Sequence, residues 1–161
     1  MKKNVMKKWV KALRSGKYAQ CRERLCNVDG KTGEESYCCL GVLTDLYLKE
    51  RKRQKKGRGI EGFRTYTKED FDYDGDFAKW EVATEADDFT DGILPLEVAK
   101  WAGFNTSTND YRTGCFTVDK KEIDLATLND GLIDLETGRR KKKRYSFNQI
   151  ADVIENNYEH I

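Results

Sequence analysis

The chain has 161 residues, of which 38% are hydrophobic and 36% charged, with a formal net charge of +2. That length suits one domain with a real core, and an aromatic share of 11% argues against disorder. No signal peptide opens the chain and no apolar run approaches the ~20 residues of a membrane span, so a cytoplasmic protein without a membrane partner is expected. Val5, Trp9, Ala12 and Leu13 share one face of an opening helix, solvated by Lys2, Lys3, Lys7, Lys8 and Lys11 and stopped by Gly16. An extended segment from Arg22 to Val28 and an Asp29-Gly30 turn follow.

The longest apolar run, Tyr37 to Leu48, carries Cys39, Leu40, Leu43, Leu46 and Tyr47 at helical spacings and predicts a central helix covered on several sides. From Gln54 to Gly92 apolar periodicity fades. Phe63–Tyr66 and Trp80–Thr84 read as short strands in an insertion lying over the surface. Leu94 to Gly103 predicts a helix with Pro95 in its first turn and Gly103 at its end. Cys115 to Val118 reads as a strand, and Asp119 with Glu122 as a capping box for a helix from Ile123 to Leu128. Leu132 to Tyr145 reads as a protruding hairpin turning at Thr137-Gly138. Ser146 then caps a last helix burying Phe147, Ile150, Ala151 and Ile154. The fold class is therefore α+β, a single domain over 1–161 with about four helices around one core, small antiparallel hairpins, and insertions at about 54–92 and 132–145.

Five cysteines, Cys21, Cys26, Cys38, Cys39 and Cys115, are odd in number and lie in strand-like and core-helix contexts. Reduced, buried thiols are the simpler reading, with zinc the rival. Catalysis has little equipment. The sole histidine, His160, lies next to the last residue, where order is not expected, so cysteine or serine chemistry lacks its usual base.

Three patterns offer binding chemistry. Asp70, Asp72, Asp74, Asp76 and Glu81, with Gly75, fit the spacing of a calcium loop, because a hard cation needs converging oxygens and the glycine allows the turn. An acidic surface loop is the simpler alternative. Arg14, Ser15, Lys17 and Tyr18 surround Gly16 at a helix end and offer anion-binding groups, although that end of a helix also favours cations for its own sake. Two basic blocks, Lys55, Lys56 and Arg58, and Arg139, Arg140, Lys141, Lys142, Lys143 and Arg144, suit nucleic-acid phosphates, with Tyr145 or Trp80 available to stack on bases. The last helix resembles the first half of a helix-turn-helix, but no recognition helix follows it.

Several segments together resemble a family of small proteins encoded by tailed bacteriophages. They are Trp9-Val10-Lys11-Ala12-Leu13-Arg14-Ser15-Gly16-Lys17-Tyr18, Tyr37-Cys38-Cys39-Leu40-Gly41-Val42-Leu43, Leu94-Pro95 to Gly103, Leu125 to Gly131 and Ser146 to Ile154. The order of the segments matches as well as their wording, and the resemblance covers about half the chain. It brings no established activity. It implies a non-catalytic binding protein in the host cytoplasm, acting in counter-defence or host takeover, that captures a nucleotide-like signal or a host protein. The segments Arg14 to Tyr18 and Asn129-Asp130 are the first candidates for its ligand site. The alternatives are a nucleic-acid-binding accessory protein and a metal-dependent nuclease or phosphodiesterase using the Asp70–Asp76 cluster.

Overall fold

The computed structural model describes residues 1–54, 60–71, 75–84, 88–133 and 140–161. It is a mixed α+β protein, as the periodicities predict. Helix α1 (Lys3–Leu13) buries Val5, Met6, Trp9, Val10 and Leu13 along one stripe. It packs on α2 (Cys39–Arg53) and on the last helix, α5 (Phe147–Asn157). The indole N–H of Trp9 donates to the Cys39 carbonyl at 2.9 Å, so this fully buried tryptophan satisfies its polar atom at the first residue of α2.

Two features seat the start of α2 deep in the fold. The Cys38 sulfur accepts the Gly41 N–H at 3.3 Å and takes the capping role usually held by a hydroxyl or carboxylate. Gly41 then passes so close to the Leu25 backbone that a Cβ there would lie 1.6 Å from the Leu25 oxygen. Only glycine allows that approach.

A four-stranded sheet lies beside α2, in the order β1 (Ala19–Gln20), β3 (Glu35–Tyr37), β2 (Cys26–Val28), β5 (Phe77–Ala78). β1 runs parallel to β3, whereas the β3–β2 and β2–β5 pairs are antiparallel. Ala19, Ser36 and Asn27 are direct cross-strand partners and share one face, while Tyr37 and Cys26 turn to the core. A second sheet joins β4 (Phe63–Thr65), β6 (Trp80–Ala83) and β7 (Phe89–Thr90).

The stretch 54–92 is more than a surface covering. Ile60, Phe77, Trp80 and Val82 are buried, and the Trp80 ring packs against Tyr37 and Phe63. Short strands hid this from a reading of periodicity. Helix α3 (Leu96–Ala102) starts after Pro95 and ends at Gly103, whose φ of 79° is left-handed.

The expected cap at Asp119 is a different device. Asp119 and Lys120 both have positive φ and turn the hairpin of β8 (Cys115–Val118) and β9 (Lys121–Asp124), so Glu122 lies in a strand. The cap of α4 (Leu125–Asp130) is Asp124, which accepts the Thr127 N–H at 2.6 Å. β10 (Leu132–Ile133) and β11 (Arg140–Lys142) pair antiparallel as the expected hairpin, whose Thr137-Gly138 turn lies outside the described residues. Ser146 and Gln149 form a reciprocal capping box on α5.

The chain end, expected to fray, is packed. The Met1 ammonium donates to the carbonyls of Tyr158, at 2.7 Å, and Ile161, and the Ile161 side chain is buried. No helix among the described residues is long and apolar enough to cross a membrane.

Candidate functional site

A groove of about 630 Å³ crosses the outer face of the four-stranded sheet. Its floor is the row Ala19, Ser36 and Asn27, small or polar side chains in register on three strands. Gly16, Lys17 and Tyr18, leading out of α1, form one wall. Asp29, Glu34, Glu35 and Asp76 supply the acidic rim. The strands present this face because Asn27 lies between the buried Cys26 and Val28, and alternation turns it outward.

The rim is electrically uneven. Glu35 is balanced by Lys79, and Tyr37 also donates to it. Burial pushes the Glu35 carboxyl up, but the hydrogen bonds from Lys79 and Tyr37 outweigh it and leave the group below the ordinary carboxylate range. The Thr32 and Lys31 backbone N–H groups hold Asp29 low as well. Asp76 accepts a long hydrogen bond from Asn27 at 3.4 Å. With Glu35 set against Lys79, the lining still carries Asp29, Glu34 and Asp76 against Lys17.

The expected ligand residues divide. Lys17 and Tyr18 line the groove, and the Tyr18 hydroxyl is held by Asp45 and Lys49. Its pKa is raised, first by burial and then by its bond to Asp45. Arg14 is committed elsewhere, to Asp152 at 2.6 Å and Glu155 at 2.7 Å on α5, whose carboxylates hold its pKa up. Ser15 donates to the Ala12 carbonyl and accepts from Lys17 N–H. Asn129 is fully buried and its amide is used up. It accepts from Gln20 at 2.9 Å and Cys39 N–H at 3.2 Å, and donates to the Cys21 carbonyl at 2.9 Å and to Asp130 at 2.7 Å. Asp130 also accepts the Glu23 N–H at 3.1 Å. This pair braces the fold beside the sheet and does not line the groove.

The described calcium-loop residues Asp70, Asp76 and Glu81 each have partners of their own. Asp70 caps a 3₁₀ turn by accepting from Thr67 N–H and hydroxyl, and Glu81 lies in β6, accepting from Tyr66 at 2.8 Å. Strands follow the loop where an EF-hand needs a helix, so the residues do not fit that type of site. Asp72 and Asp74 lie outside the described residues. Among the described residues no group of three or more His, Cys, Asp or Glu side chains is placed to hold a metal ion.

Of the basic blocks, Lys55, Lys56, Arg58 and Arg139 lie outside the described residues. Arg140, Lys141 and Lys142 form β11, and Lys143 with Tyr145 lines a separate cavity of about 300 Å³ against Glu122 and Asp124. Arg144 follows Lys143 towards α5.

The thiols are poor nucleophiles. Burial pushes Cys21 up to about 11 and Cys26 up to about 12, and moves Cys38 and Cys39 further in the same direction. Cys115 shares a cavity of about 180 Å³ with Asp110, Thr117 and His160. Burial and then the charges of Glu122, Asp124 and Asp110 push its thiol up to about 11, so at neutral pH it stays protonated.

Asn27, Asp29, Glu34, Glu35 and Ser36 were not singled out from the sequence. Alternation in the Cys26–Val28 and Glu35–Tyr37 strands was the available signal, but register alone brings them to one surface.

Fold and groove together define a small α+β protein with an open, acid-rimmed groove on the outer face of its sheet. The chain belongs to the family described as a domain of unknown function, DUF8296, whose model matches residues 1–158. The comparisons with curated proteins and with solved structures gave no match.

Proposed function

We propose that the protein is a non-catalytic binding protein, encoded by a tailed phage, that acts in counter-defence or host takeover by holding a basic segment of a host protein in the sheet groove. The observation that carries this reading is the groove itself, a preformed concave surface whose rim presents Asp29, Glu34 and Asp76 against Lys17. Lysine and arginine side chains are attracted to such a rim, whereas the phosphates of a nucleotide-like signal are repelled. Phage origin rests on the segment resemblances, and the host cytoplasm follows from it. The raised thiols argue for binding over covalent catalysis.

Native mass spectrometry of protein purified gently from infected cells tests this. The reading expects the added mass of a protein partner, reduced when Glu34→Gln and Asp76→Asn are combined. A stoichiometric nucleotide-sized mass on the wild type would contradict it.

A further inference from the structure

A second surface has the opposite sign. The solvent face of α1 carries Lys3, Asn4, Lys7, Lys8 and Lys11, all exposed, and the helix contains no acidic residue. Lys3, Lys7 and Lys11 follow one another at i, i+4 and i+8, about 6 Å apart along the axis and about 12 Å from first to last. Among the described residues none of these three side chains has a hydrogen bond or an ion pair. Three acids on the helices packed against α1 are already matched. Glu50 pairs with Lys8 at 2.7 Å, and Asp152 and Glu155 pair with Arg14.

This arrangement works against the helix that bears it. Like charges at i, i+4 destabilise by roughly 0.2–0.5 kcal/mol per pair, and lysine at the first helical turn opposes the macrodipole. A helix face selected only for solubility would alternate signs and gain those energies instead. Local rules broken on a rigid, well-packed element point to a partner outside the fold.

We infer that this face binds the phosphodiester backbone of nucleic acid, without reading its sequence. Lysine ammonium groups act as point charges and need no fixed geometry to meet phosphates. A membrane surface is the weaker match. An interfacial helix must lay its apolar face in lipid, and here Val5, Met6, Trp9, Val10 and Leu13 are all committed to the core. None of these α1 lysines lines the groove, so binding at this face is independent of binding there.

Fluorescence anisotropy with a short labelled DNA duplex tests it, in salt from about 50 to 200 mM. Three released phosphate contacts predict a slope of log Kobs on log salt of about −3 for the wild type. Lys3→Gln, Lys7→Gln and Lys11→Gln combined should weaken binding at low salt by at least about tenfold and flatten the slope towards zero. Circular dichroism reports whether the triple variant stays folded. If it does not, Lys7→Glu alone carries the test and should still cost severalfold in affinity. Unchanged affinity in a folded variant overturns the inference. So does a wild type that ignores the duplex yet binds phosphatidylserine-containing vesicles, and so does binding abolished by Lys143→Gln with Arg144→Gln but insensitive to the α1 changes.

Discussion

The Asn129 side-chain oxygen accepts the backbone N–H of Cys39 at 3.2 Å, joining α4 to the first residue of α2 across ninety positions of sequence. The same amide holds Gln20 and the Cys21 carbonyl, so one buried residue ties the central helix to the edge of the sheet. Asn129→Ala leaves these groups buried and unpartnered, and should cost about 3 kcal/mol in a denaturant titration. If Asn129 were instead a ligand residue, the alanine variant would keep its stability and lose only binding.

A methyl group at position 41 has nowhere to go. The clash falls on the Leu25 carbonyl, which is backbone and cannot rotate aside. Leu25 also accepts the Cys38 N–H, so a shift there loosens the helix start as well. Gly41→Ala should lose about 3 kcal/mol or more, or fail to fold, although alanine is the better helix former. Stability equal to wild type would mean that α2 does not approach the Leu25 backbone this closely.

Glu35 makes acid stability a readout of the groove wall. Its folded pKa lies below the ordinary carboxylate value, so the unfolded chain binds more protons in the window between the two. The stabilisation it provides is complete above the unfolded value and is lost as pH falls through the folded one. Melting temperatures recorded from neutral pH down through the carboxylate range should fall less steeply in Glu35→Gln than in wild type. Parallel curves would show that Lys79 and Tyr37 do not hold this carboxylate.

Much of the helical skeleton was legible because burial in α1 and α5 follows the 3.6-residue period, and the Ser146–Gln149 and Gly103 ends follow from capping chemistry. Asp119 misled because one residue type serves both helix caps and tight turns, and nothing local distinguishes them until β8 and β9 pair. The floor of the groove was less legible still. β1 has two residues and no pattern, and Asn27 meets Ala78 only through long-range register. Lys17 and Tyr18 could be picked out beside Gly16, but Arg14 next to them could not be assigned to Asp152 and Glu155 without knowing that α1 packs on α5.

The thiols should behave as core side chains. Cys38 and Cys39 are buried, and burial disfavours their thiolates. An aromatic disulfide reagent at mildly alkaline pH should leave both unmodified in the folded protein, with Cys21 and Cys115 reacting slowly and all five reacting after denaturation. Rapid labelling of Cys38 in the folded state would contradict the cap it forms on α2.

The most direct test of the groove reading is isothermal titration calorimetry with a short arginine- and lysine-rich peptide. Wild type should bind it with an affinity that falls as salt is added, and Glu34→Gln with Asp76→Asn should weaken binding by about tenfold, or ~1.4 kcal/mol. Equal affinity in the variant, or preference for an acidic peptide or a nucleotide, would contradict the account.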